Sequence, residues 1–158
     1  MADINNHEHI DHEKVIDVVE NLIETCRDGQ KGFLQAAENV KDPQLRAFFN
    51  EHSLERGQFA GDLENEVIHL GKHDPEREGT ASAAVHRGWI DLKAALGAGD
   101  AAILSSVESG EDNAKKQYDE ALQEKLPVNI RGIIERQAQR VRAVHDQVRD
   151  MRDKKKAA

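Results

Sequence analysis

Cysteine, proline and aromatic residues are all scarce in this chain. Of its 158 residues one is cysteine (Cys26), three are proline and 4% are Phe, Trp or Tyr. A single cysteine excludes an internal disulfide framework and any zinc cluster built from several thiolates, and it fits a reducing compartment. So few aromatic residues argue against sheets, whose half-buried faces favour β-branched and aromatic side chains. Long apolar runs are missing as well, so no membrane span is expected. The opening residues MADINNHEH also lack the apolar stretch of a signal peptide, and a cytoplasmic location is the expectation. Basic clusters reduce to Lys154, Lys155 and Lys156 in a chain of formal net charge −8. Phosphate affinity comes from clustered cations, so neither nucleic acid nor a membrane is an expected partner. No Gly-rich phosphate loop or Ser-His-Asp set is visible, which makes an enzyme the less favoured reading.

What the sequence does contain is charge (33% Asp, Glu, Lys and Arg) and helical periodicity. Between positions 15 and 40, Val15, Val19, Leu22, Cys26, Gly29, Phe33, Ala36 and Val40 recur at steps of three and four, one stripe of a bundle helix. Pro43 stops that helix and suits the first turn of the next, with Asp42 as its N-cap. Leu45, Phe48, Phe59, Leu63 and Leu70 form the second stripe, and Gly71 stands where a C-capping glycine belongs. A polar loop follows from position 72, then a short amphipathic segment with Val85, Trp89, Leu92 and Leu96, ended by Gly97 and Gly99. Asp100 is placed to cap a third long helix striped by Ile103, Val107, Glu111, Ala114, Tyr118 and Ala121. Pro127 separates it from a fourth, with Ile130, Ile134, Gln137, Val141, His145 and Val148. One domain is expected over 13–150, with a flexible lead-in at 1–12 and a charged tail at 151–158. Two antiparallel hairpins joined by a long crossover with its own short helix make an all-α, ferritin-like four-helix bundle, not a simple up-down-up-down one.

The segments LIETCRDGQKGF at 22–33, HRGWIDLK at 86–93 and AVHD at 143–146 resemble a bacterial family of uncharacterised ferritin-like four-helix-bundle proteins, a domain-of-unknown-function family. The resemblance spans nearly the whole chain and implies the fold; it brings no activity with it.

Polar residues on the apolar stripes are the informative ones. Counted from Phe59, the residues His52, Glu55 and Glu66 fall near the centre of the second helix's buried face, while Glu111, Gln137 and His145 lie among apolar neighbours on the third and fourth. One mid-bundle layer is expected to hold Glu55, Glu111 and His145, with His52 a turn away, which makes these four the candidate metal ligands. The match to a di-iron set is poor. Gly29, with Asp28 off to the side and Glu24 pointing outward, Gln58 and Arg142 stand where that chemistry wants Glu, His and Glu. The favoured expectation is a buried network of Glu55, Glu111, His52, His145 and Gln137, with Gln58 and Arg142 nearby, in a non-enzymatic protein that binds a partner or assembles with itself, for instance under stress. The alternative is a metalloprotein holding iron or another transition metal that reacts with oxygen or peroxide. Otherwise no cofactor is expected.

Three features remain. His7, His9 and His12 carry imidazoles on an end that does not pre-organise a site. Cys26 reads as a small core residue. Gly57 and Gly61, each costing about 1 kcal/mol relative to Ala within a helix, point to close packing on an outer face. Unless the two glycines are simply tolerated, either the crossover bearing Trp89 or a second subunit is expected there, a dimer through the face near Gly57, Gly61 and Trp89, with Trp89 itself read as core cover.

Overall fold

The computed structural model describes residues 10–71 and 86–157, all helix and short turns, with no strand among them. Four long helices carry the structure: α1 (His12–Asn39), α2 (Pro43–His69), α4 (Asp100–Leu122) and α5 (Val128–Ala157), with a 3₁₀ turn at His86–Trp89 and a single-turn helix α3 (Leu92–Ala95) in the crossover. The ends follow from local chemistry. The Asp11 carboxylate accepts from the backbone N–H of Glu13 and Lys14 at the start of α1, and that of Asp42 accepts from Gln44 N behind Pro43 at the start of α2. Gly71 closes α2 and Gly99 opens α4 at φ +103° and +100°, backbone that other residues rarely adopt. His7, His9, Val85 and most of the polar loop lie outside the described residues.

Topology can be read from what meets at one end. The Asp100 carboxylate accepts from Lys41 N at 2.9 Å and Asp42 N at 3.0 Å, so α4 begins beside the α1–α2 turn, where α2 also begins. Asp100 was expected to cap its own helix; as the first residue of α4 it caps the neighbouring turn instead. Lys155 Nζ reaches Asp42 Oδ2 at 3.2 Å, which brings the end of α5 to the same place. The terminal segment, expected as a charged tail, thus continues α5 to Ala157, its lysines in the last turn where the helix dipole favours cations. α1 packs on α2 and on α4, α4 packs on α5, and α2 meets α5 along a narrower seam, while α2 with α4 and α1 with α5 approach least closely. α2 and α4 therefore run parallel on one diagonal.

The apolar core falls into two parts. One half joins Val19, Leu22 and Cys26 to Leu63, Val67, Tyr118, Ile130 and Ile134. The other joins Phe33 and Ala36 to Phe49, Leu92, Ile103, Val107, Val144 and Val148. Gly29, Arg56 and Glu111 lie between the two halves along α1, α2 and α4.

Candidate functional site

The centre of the bundle is an ion pair. Arg56 is 1% exposed and Glu111 0%. Arg56 Nη1 donates to Glu111 Oε1 at 2.6 Å and Nη2 to Oε2 at 2.5 Å, a two-pronged pairing across the diagonal. α1 makes room with Gly29, where an added Cβ would come within 3.2 Å of Arg56 Nη1. A turn along, Phe33 offers its ring face, 5.2 Å from the guanidinium carbon. Burial works against the guanidinium charge, but the attraction of Glu111 and its hydrogen bonds outweigh that cost and hold the Arg56 pKa above its ordinary range.

Beside the pair runs a chain of neutral groups. Cys26 Sγ lies 3.0 Å from the Tyr118 hydroxyl, which donates to Gln137 Oε1 at 2.7 Å, and Gln137 Nε2 donates to the Phe59 carbonyl at 3.3 Å. Each of the four long helices contributes a member. Burial pushes the Cys26 thiol up to about 11 and holds the Tyr118 hydroxyl well above its usual range, so both stay protonated at neutral pH. These groups fix geometry; none is poised as a nucleophile or base.

The four candidate ligands do not meet. Glu111 has both oxygens on Arg56. His52, buried against Phe48 with ring centroids 4.3 Å apart, faces Glu55 Oε1 through Nδ1 at 3.2 Å. Glu55 is only partly buried and turns its other oxygen to Arg140 Nε at 3.2 Å; the His52 contact and then Arg140 hold its carboxyl below the usual range. His145 sits at the α4–α5 seam, Nε2 2.7 Å from Asp112 Oδ1 and 3.7 Å from Glu108 Oε2, Nδ1 3.0 Å from Asp146 Oδ1. Among the described residues no group of three or more His, Cys, Asp and Glu side chains is arranged to hold a metal ion. Of the remaining network members only Gln137 is buried; Gln58 is exposed, and Arg142 is exposed and paired with Asp119. Glu24, expected to point outward, and Asp28, expected off to the side, are both buried.

The expected layer and the observed one differ by the phase of α2. Its buried face runs through Leu45, Phe49, Ser53, Arg56, Ala60, Leu63 and Val67. Phe59, from which the face was counted, is half-buried and lies roughly 80° from that centre, nearly the 100° of one residue. The shift exchanges Glu55 for Arg56. Arg56 was thereby missed, and an unbroken count along Phe49, Arg56, Ala60 and Leu63 would have found it; on α4, Tyr118 was placed on the buried stripe without its hydroxyl's partners, and Glu108 and Asp112 were not singled out.

Trp89 is also elsewhere than expected. Its indole wedges between Gly32 on α1 and Gly110 on α4, either of which would overlap the ring if it carried a Cβ, and it meets Phe33 edge-on at 5.5 Å. Gly57 faces Gln30 of α1, and Gly61 has open space. Trp89 thus belongs to the α1–α4 side.

Fold and core together define an all-helical bundle whose two apolar halves are separated by a buried ion pair. The chain belongs to the family described as Domain of unknown function (DUF2383), whose profile matches residues 14–124. That span takes in Gly29, Arg56, Trp89 and Glu111 and stops before α5. No curated protein matches the chain. Among the described residues no helix is long and apolar enough to cross a membrane.

Proposed function

We propose that this protein is a non-enzymatic bundle of ferritin-like topology that works through its surface, assembling with itself or holding a partner protein. The observation that carries this reading is the Arg56–Glu111 pair. Ferritin-like topology implies a metal between the helices, where carboxylates from several helices turn free oxygens toward one another. The residues here do not fit that group. A fixed guanidinium stands at the centre and takes up both oxygens of Glu111, so no free carboxylate is left there for a metal ion. The other expected ligands are engaged on different seams of the bundle, His52 and Glu55 with each other and Arg140, His145 with Asp112 and Asp146.

Elemental analysis of protein expressed in iron-supplemented medium, followed by anaerobic ferrous titration, tests the reading. The expected result is far less than one metal per chain and no ferrous saturation. Stoichiometric iron that is lost on Glu55→Ala, a substitution at a partly exposed position, would overturn it.

A further inference from the structure

α2 carries a face that the other described residues leave open. Asn50, Leu54, Gln58, Gly61, Asn65 and Ile68 fall within about 40° of one line along the helix, on the side away from Arg56. None is charged, in a chain where 33% of residues are. Leu54 is 66% exposed and Ile68 40%, two of the large apolar side chains that lie open to solvent. Gly61 between them has nothing within 4 Å of where a Cβ would stand. A glycine there costs helix stability, and among the described residues no contact offsets that cost. Loss of charge around exposed apolar side chains is the composition of an interface core.

The spacing says what covers it. Leu54 lies seven residues before Gly61 and Ile68 seven after, two helical turns, or about 10.5 Å, on each side. A two-fold axis through Gly61 sets a second α2 antiparallel to the first and brings each Leu54 onto the Ile68 of the other copy. The bare backbone at Gly61 lets the helices approach. The same operation brings exposed Glu51 to within about 3 Å in axial height of the second copy's exposed His69, an acceptor opposite a donor. Self-complementarity about one point is what a two-fold dimer requires and what an unrelated partner would not.

We propose that this face of α2 is the contact of an antiparallel homodimer centred on Gly61. The inference rests on the surface-acting reading above and names the surface and its occupant. One helix pair buries less than the roughly 800 Å² per partner of a standard interface, so the dimer is a weak one, formed at micromolar concentrations and above.

Light scattering of the full chain across a concentration series should show a monomer–dimer equilibrium. Leu54→Asp should weaken it about tenfold or more with the helical circular dichroism and thermal midpoint retained. Mild oxidation should then link Gly61→Cys into a covalent dimer, and also the double variant Leu54→Cys with Ile68→Cys, but not Leu54→Cys alone; Cys26 is buried and should stay unreacted. A monomer at 100 micromolar, a dimer indifferent to Leu54→Asp, or efficient linking of Leu54→Cys alone, which marks a parallel pair, each overturns the proposal. Failure of the underlying reading looks different: iron bound in the ferrous titration while the Gly61→Cys link persists would remove the non-enzymatic reading and leave the interface standing.

Discussion

A guanidinium and a carboxylate taken out of water together lose hydration that their mutual attraction only partly restores, so the Arg56–Glu111 pair says more about what must not change singly than about net stability. Removing one partner strands the other charge in an apolar core. Arg56→Met and Glu111→Leu are each expected to cost about 3–5 kcal/mol in urea unfolding. The double variant, which leaves no charge behind, should recover most of that loss or exceed the parent. Losses that simply add in the double variant would show that the two residues do not act as one unit. The pair explains Gly29 as well: a side chain there would push on the guanidinium.

Among the elements, the described part of the crossover is seated by the Trp89 wedge together with the buried Leu92 and Ala95. Trp89 reaches from the 3₁₀ turn into a slot made by Gly32 and Gly110, so Gly110→Ala has to displace the ring. Overpacking of that kind costs about 1–3 kcal/mol. Because Trp89 is the sole tryptophan, its emission should shift to the red as the indole moves into water. Unchanged emission and stability would mean the slot is not what seats the crossover. Helices, caps and hairpins were legible in the sequence because Asp42, Pro43 and the spaced apolar residues of α1, α4 and α5 act locally. The phase of α2 was not, since that helix buries an arginine and a histidine while exposing Leu54 and Ile68, and its apolar residues no longer mark its inner face. Asp100 escaped for another reason: its partners lie 58 and 59 positions away, and no local pattern announces them.

For the molecule as a whole, titrating groups bound the pH range of stability. Asp42, Asp146 and Glu55 have carboxyls held below their usual range, chiefly by hydrogen bonds from Gln44 N, His145 and His52. Groups lowered on folding contribute stability above their unfolded pKa and lose it as pH falls through the folded value, so the acid limb should decline below about pH 4. Cys26 behaves in the opposite sense. Its thiol is raised by burial from 9.0 to about 11, so its contribution is complete below pH 9 and is lost as pH climbs toward 11. Thermal midpoints should form a plateau between these limbs, and Cys26→Ala should flatten the alkaline one, leaving the part due to Tyr118. An alkaline limb unchanged in that variant would place the titration elsewhere.

The ion pair on the diagonal also bears on how such a sequence can diverge. Arg56 and Glu111 stand 55 positions apart on helices that otherwise meet only through the core, and either one alone is a liability. A lineage that lost the arginine first would pass through a destabilised ancestor, as would one that lost the carboxylate first. Relatives should therefore keep both or have replaced both, with Gly29 free to become a larger residue only where the pair is gone.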